Sequence, residues 1–290
     1  MSVRCTVLLP VHNGMPYLPA ALDSILKQTE QELLVIVLDD GSTDGTKEYL
    51  RSVSDPRLTV FTTDRIGLPS VLNHGLTMVT TEYTARMDAD DIASNERIRK
   101  QCDYLDSHPS CILIGSSVHY IGERGNGFLW KTIVPSEHMK IIEGLFSRKS
   151  VLFHPSIVMR TDAVRQSGGY QTGAFPAEDY DLYLRLSSAG EFANIEDVLL
   201  SYRVTGHSIV GLKFLQSLRM YQHSIEKISG RRFSTLERLL FRFDEYGLVF
   251  YRKGLQEYLN GSQLRAFMYF AVSIVMNPMR VLRYINRVMK

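Results

Sequence analysis

The chain has 290 residues, 44% hydrophobic and 22% charged, enough for one large α/β domain with an appendage or two modest domains, in a composition ordinary for a soluble globular protein. The net charge of +2 hides an asymmetry, because residues 1–210 carry 19 basic and 26 acidic side chains whereas residues 211–290 carry 14 and 5; the tail suits an anionic surface such as nucleic acid or a membrane. Cys5, Cys102 and Cys111, odd in number and without CxxC spacing, indicate neither a disulfide framework nor a zinc site and fit a reducing cytosol.

The opening "MSVRCTVLLPVHNG" has an apolar run too brief for a signal-peptide core. The longest apolar run, residues 266–276, falls short of the roughly 20 residues that cross a bilayer. It can bury in protein or lie on a membrane.

"TVLLPV" (6–11) reads as a buried strand, and "YLPAALDSILKQT" places Leu18, Ala21, Leu22, Ile25 and Leu26 at helical spacing. "LLVIVL" (33–38) is a second strand, stopped by "DDGSTDGT", and "TKEYLRSV" is a second helix. "RLTVFTT", "LPSVLNHGLTMV" and "YTARMD" continue as strand, helix and strand. Such alternation implies a parallel sheet with right-handed crossovers, whose ligands gather where loops leave the carboxyl ends of the strands. A helix over 93–107, a strand at "CILIGSSVHYI" and a turn at "GERGNG" follow. Residues 151–205 mix short strands with a helix beginning near "AEDYDLYLRLSSAG", and the best boundary lies near 208–213, where the chain turns basic and helical.

Acidic residues gather at three places. In "LDDGSTDGT" (38–46) one reading is a turn that caps the next helix; the other makes Asp39 or Asp40 an acceptor for polar groups of a nucleotide. In "MDADDI" (87–92), Asp88 and Asp90 share one side of an extended chain. Together they form a hard-oxygen site for Mg2+ or Mn2+, which in turn can hold a diphosphate. Capping of the following helix is the competing account, but one acid suffices for a cap, and three at one strand end repel. In "PAEDYDLYLRL" (176–186), Glu178, Asp179 and Asp181 fall in a first helical turn, where the dipole favours them. A diphosphate leaving group also calls for a base elsewhere, and Asp179 is the candidate. His154 reads equally as a structural histidine or a ligand; in "SYRVTGHS" Arg203 suits phosphate and His207 a metal or phosphate, with a plain surface loop as the equal alternative for both.

The ordered set "VLLPVHNGMPYLPAALDSILKQT", "LLVIVLDDGSTDGT", "GLPSVLNHGL", "YTARMDADDI", "AEDYDLYLRL" and "LLSYRV" resembles the family 2 glycosyltransferases of the GT-A fold across nearly all of residues 4–210. The resemblance implies a GT-A-like, mostly parallel Rossmann-like sheet flanked by helices in residues 1–210, with a basic helical C-terminal extension in 211–290. It implies inverting transfer of a sugar from a nucleotide-diphosphate-sugar donor, assisted by a divalent cation, to a hydroxyl of a saccharide or lipid-linked saccharide. By position it puts Pro10, His12 and Asp40 around the base, Asp88 near the ribose, Asp90 on the metal and Asp179 as general base. The chain departs from the family at His12, where a Tyr is common, and at Thr205, where a His is frequent; His207, two positions on, is the candidate metal ligand instead.

In "MRVLRYINRVMK" (279–290) Val281, Leu282, Ile285, Val288 and Met289 fall on one side of a helical wheel and Arg280, Arg283, Arg287 and Lys290 on the other. That helix can rest on an anionic membrane or pack on the domain, which makes the expected location cytoplasmic or peripheral at the inner membrane face. Nucleic acid binding lacks a motif. A dinucleotide-dependent oxidoreductase lacks its G-x-G-x-x-G after the first strand. A metal-dependent nucleotidyltransferase and a non-catalytic nucleotide-sugar-binding protein are the remaining rivals. Surface-polysaccharide or lipopolysaccharide assembly is the expected setting.

Overall fold

The computed structural model describes residues 3–125, 131–132, 134–147, 149–204, 214–230, 232–234, 237–238, 246–247, 250–251, 253–254, 257–258 and 261–276. Its first half alternates as the periodicity predicts: β1 (Cys5–Val11), α1 (Leu18–Leu26), β2 (Leu33–Asp40), α2 (Thr46–Ser52), β3 (Leu58–Thr63), α3 (Leu68–Met78) and β4 (Tyr83–Arg86). β1 is buried along its whole length and β2 nearly so, as unbroken apolar runs covered on both faces must be. β3 lies at the sheet edge and is correspondingly half exposed. α1 carries Pro19 in its first turn, where a missing N–H costs nothing, and buries Leu18, Ala21, Leu22 and Ile25.

β1 pairs in parallel with β2 and β4, and β2 with β3. The second half comprises β5 (Ile92–Ala93), α4 (Arg97–Ser107), β6 (Cys111–Ile121), β7 (Lys131–Thr132), α5 (His138–Phe146), β8 (Val158–Arg160), α6 (Thr161–Gln166), α7 (Glu178–Leu186) and β9 (Glu191–Arg203). The sheet order is β3-β2-β1-β4-β8-β6-β9-β5, with β7 beside β6. β8 runs against both β4 and β6, so β6 returns to the direction of the first four strands. The α/β class and the parallel first half stand as expected; the antiparallel insertions make the sheet mixed.

Two local expectations are corrected. The helix expected over 93–107 begins at Arg97, because Ile92 and Ala93 pair with Ser201 and Leu200 of β9 and the Ser94 N–H donates to Leu199 O at 2.9 Å. A backbone committed to a neighbouring strand cannot also wind a helical turn. α5 was not anticipated, although its buried Ile141, Gly144 and Leu145 have helical spacing. The three cysteines are buried and free.

The chain forms two compact units, one of residues 1–118, 131–173 and 178–202, the other of 119–130, 174–177 and 203–290. In the second, α8 (Phe214–Ser229) buries Leu218, Tyr221 and Ile225, and Glu226 accepts the Phe233 N–H at 2.8 Å while pairing with Arg238. α9 (Gln263–Met276) buries Ala266 and Ser273, the latter donating to Gly247 O at 2.7 Å, and exposes Leu264, Phe267, Met268 and Val275. No described helix is long and apolar enough to cross a membrane. The boundary expected at 208–213 and the amphipathic helix expected over 279–290 lie outside the described residues.

Gly75 sets how closely α3 approaches the sheet: a Cβ there would stand 2.7 Å from Leu38 Cδ1 and 3.0 Å from Leu8 Cδ2. Gly75→Val is expected to overpack this contact and lower stability by about 1–3 kcal/mol, read as a lower urea midpoint with unchanged slope; an unaltered midpoint would show that the helix can move aside freely.

Candidate active site

The register of the parallel strands builds the site. Leu8 lies beside Arg86 and Val11 beside Asp39, so the end of β1 is flanked by Asp40 on one side and Asp88 on the other. Neighbouring strands stand about 4.8 Å apart, which brings acids from distant sequence positions to one edge. The loops leaving β1 and β2 are laced together. The Asn13 N–H donates to Ser42 Oγ at 2.9 Å, the Gly14 N–H to Thr46 Oγ1 at 2.9 Å and the Met15 N–H to Asp44 Oδ2 at 2.9 Å, while Asn13 Oδ1 accepts the Thr43 N–H at 2.8 Å. Thus "HNG" and "GSTDGT" form one structural unit, and the turn-forming account of the second motif holds for Ser42, Asp44 and Thr46.

Asp40 does something different. Its carboxylate accepts Thr63 Oγ1–H at 2.7 Å and the N–H groups of Ile66 and Gly67 at 2.7 and 2.9 Å, which moulds the loop between β3 and α3. Its backbone carbonyl meets His12 Nδ1 at 2.9 Å, and His12 Nε2 lies 2.6 Å from Arg65 Nη1. Pro10 is buried in β1 and His12 half-buried just beyond it. Pro10, His12 and Asp40 therefore share one end of the strand crevice. Asp39, wholly buried, accepts the Ser42 N–H at 3.0 Å.

Across β1, the ligand oxygens of Asp88, Asp90 and Asp91 lie within 4.8 Å of one another. None of them caps α4, which starts six residues past Asp91 with Glu96 at its N-cap position and no side-chain cap. Three carboxylates at such spacing can supply oxygen ligands to a hard divalent cation. Beneath them Arg86, 4% exposed, pairs with Asp88 at 2.5 Å, and burial notwithstanding, the Asp88 charge holds the guanidinium protonated. Arg97, fully buried, donates to Arg86 O at 2.6 Å and to Gln101 Oε1 at 3.2 Å; burial pushes its pKa down to about 10. It ties the start of α4 to the end of β4.

The first turn of α7 supplies Glu178, Asp179 and Asp181. Asp181 is neutralised by Arg185 at 2.8 Å. Asp179 is half-buried, with Oδ1 accepting the Tyr180 N–H at 2.8 Å. Glu178 is 6% exposed, and burial, followed by the charge of Asp179, pushes its pKa up to about 8. The charges of Asp88 and Asp179 both bear on Glu178 and on Tyr170, so the acids of β4 and α7 share a neighbourhood. Its floor is polar and dry: His154 Nε2 meets Tyr170 OH at 2.9 Å, and its ring stands edge-on to Tyr183 at 6.2 Å. Burial, reinforced by Arg86, holds His154 well below the usual imidazole range, so it is neutral. Asn73 clamps Tyr170 by accepting its N–H at 2.8 Å and donating to its carbonyl at 2.7 Å.

Of the residues singled out from sequence, Pro10, His12, Asp40, Asp88, Asp90 and Asp179 all fall in the first unit on these strand and helix ends. His207 lies outside the described residues. Arg203 is spent elsewhere, donating to Gly122 O at 3.2 Å and Glu123 O at 2.9 Å within the second unit. Sequence reasoning passed over Arg86 and Arg65, and it did not separate Glu178 from the acids beside it. An Arg between apolar residues of a strand, as in "YTARM", was the one available signal.

The family model described as Glycosyl transferase family 2 matches residues 6–167, more than half of the chain. The chain belongs to glycosyltransferase family 2. It is 34% identical over 210 residues to the amylovoran biosynthesis glycosyltransferase AmsE of Erwinia amylovora (68% of this chain, 75% of that one) and 29% over 218 residues to the O-antigen biosynthesis glycosyltransferase WbnJ of Escherichia coli (72% and 84%). An uncharacterized glycosyltransferase of Haemophilus influenzae is 31% identical over 215 residues, covering 70% of this chain and 66% of its own length. Among solved structures, S. aureus TarS 1–349 in complex with UDP-GlcNAc superposes with a TM-score of 0.62 at 16% identity, covering 96% and 91% of the two chains. The mannosyltransferase PcManGT of Pyrobaculum calidifontis, in complex with GDP-Man and Mn2+, gives 0.60 at 17% identity, covering 100% and 81%. These likenesses establish the GT-A fold.

In this family 2 glycosyltransferase Glu178 makes stability depend on pH. Its folded pKa of about 8 exceeds the ordinary 4.5, so its contribution is fully present below the unfolded value and lost as pH rises through the folded one. Between about pH 5 and about pH 9 the wild type is expected to lose stability, on the order of a few kcal/mol, relative to Glu178→Gln. Urea melts of both proteins across this window check it, and parallel profiles would contradict it.

Proposed function

We propose that this chain catalyses inverting transfer of a sugar from a nucleotide-diphosphate-sugar to an acceptor hydroxyl, in the assembly of a surface polysaccharide or lipopolysaccharide. The observation that carries this proposal is the gathering of Asp88, Asp90 and Asp91 within 4.8 Å, with Asp179 acting on the same buried groups as Asp88. Membership of family 2 supports it, as do the O-antigen and amylovoran biosynthesis proteins among its relatives. A nucleotide-diphosphate-sugar brings four chemical demands: a surface for the base, acceptors for ribose hydroxyls, charge for the diphosphate and a base for the incoming hydroxyl. Pro10, His12 and Asp40 serve the first, and Asp88 the second. Asp90, with Asp88 and Asp91 beside it, serves the third by holding Mn2+ or Mg2+; His207 joins that ligand set in this proposal. The cation, when bound, supplies charge neutralisation to the departing diphosphate.

Asp179 serves the fourth demand. It takes the proton from the acceptor hydroxyl as that oxygen attacks the anomeric carbon, and the bond to the diphosphate oxygen breaks on the opposite side. One in-line displacement inverts the configuration and needs no covalent intermediate. Glu178, kept neutral by burial, withholds a second negative charge from the donor. The transferase occupies residues 1–210 and the basic extension 211–290. We place the protein in the cytoplasm, peripheral to the membrane through that extension, with a saccharide or lipid-linked saccharide as acceptor.

Asp179→Asn is expected to lower the transfer rate by about 10²–10⁴-fold while the nucleotide dissociation constant stays within about twofold, measured by donor turnover and calorimetry across a panel of nucleotide sugars. Turnover that survives would reject the assignment of the base. Asp90→Asn is expected to abolish the thermal stabilisation that Mn2+ confers together with the best nucleotide, and an undiminished response would reject the cation site.

A further inference from the structure

Arg65 is held in a conformation that the chain does not choose freely. Its φ is +55°, in the left-handed region that is unfavourable for an L-residue with a Cβ. Such an outlier is grounds for asking what it is for. The surroundings are built to keep it. Asp40 grips Thr63 Oγ1 and the N–H groups of Ile66 and Gly67 on either side. Gly41, itself at φ +72°, leaves room that a Cβ would invade, at 3.1 Å from Arg65 N and 3.4 Å from Arg65 Cβ.

The side chain reaches back to the end of β1, where Nη1 lies 2.6 Å from His12 Nε2. His12 Nδ1 faces the Asp40 carbonyl at 2.9 Å. A carbonyl only accepts, so Nδ1 carries the hydrogen and Nε2 offers its lone pair to the guanidinium. The result is a neutral imidazole whose edge is joined to an exposed cation. Among the described residues no ion pair within 4.0 Å involves Arg65, so its charge and flat face remain available to a ligand. Guanidinium planes stack on aromatic rings, and an ammonium does not reproduce this.

We propose that Arg65, held by His12, is a donor-binding residue whose guanidinium stacks on the base of the nucleotide. This rests on the nucleotide-sugar reading above and adds to it a residue whose planar guanidinium extends the stacking surface beside His12. The layout favours base over phosphate. The carboxylate cluster sits at the end of β4, on one side of β1, and the diphosphate belongs there; Arg65 enters from the β3 side, at the other end of the crevice. A nucleotide laid across the strand ends puts its base against Arg65.

The test is calorimetric titration of UDP and GDP, each with Mn2+, into the full-length wild type and into Arg65→Ala, Arg65→Lys and Arg65→Gly, at low and high salt. For the nucleotide that the wild type binds, Arg65→Ala is expected to weaken binding about tenfold, by a similar factor at both salt concentrations, since base stacking is worth about 1–3 kcal/mol. Arg65→Lys should recover less than half of the loss on a logarithmic scale. Arg65→Gly relieves the positive φ and should melt no lower than wild type while binding as weakly as Arg65→Ala, which separates binding from folding. Wild-type affinity in Arg65→Ala would overturn the assignment alone. So would recovery by Arg65→Lys with a loss that shrinks in salt, the mark of a phosphate contact. A wild type that binds neither nucleotide would remove the donor reading itself, and this assignment with it.

Discussion

Mutual repulsion among carboxylates is the constraint on which this structure turns. Asp88, Asp90 and Asp91 converge to within 4.8 Å at one strand end, an arrangement that costs free energy unless positive charge arrives to offset it. The fold supplies part of that charge itself, through Arg86 at 2.5 Å from Asp88. In the proposed function a divalent cation held by the same carboxylates supplies further positive charge. Parallel strands make the gathering possible, since β1 lies between β2 and β4 and brings their loops to a common edge.

Below that edge the chain invests in rigidity. Arg97 joins α4 to the carbonyl of Arg86, Asn73 fixes Tyr170 from both of its backbone groups, and His154 closes against Tyr170. Buried polar groups of this kind hold one geometry when their partners are in place and are costly when they are not. Glu178 is the informative member: burial, followed by the charge of Asp179, keeps it protonated near neutral pH.

Much of this was legible in the sequence, for identifiable reasons. β1 and β2 are covered on both faces and so read as unbroken apolar runs, α1 and α3 show helical spacing, and acids at strand ends stand out against such runs. What escaped was set by partners distant in the chain. β5 is a strand only because β9 lies beside it, and its two residues carry no periodicity. Arg203 read equally as a phosphate ligand or as part of a surface loop, and its bonds go to carbonyls 80 and 81 positions away. The bond between Arg65 and His12 spans 53 positions, and nothing local announces it. The Asp40 carboxylate also shapes the loop that presents Arg65, by accepting hydrogen bonds from groups 23 to 27 positions away.

The central claim is that acids from β4 and α7 enclose a cation and the diphosphate bound to it. Crystals grown with Mn2+ and a nucleoside diphosphate, with data collected at the manganese edge, test this most directly. The account requires an anomalous peak among Asp88, Asp90 and Asp91, with diphosphate oxygens on the ion and the Asp179 carboxylate facing the same space. A peak elsewhere, or a nucleotide bound away from β4 with no metal beside those acids, would contradict it.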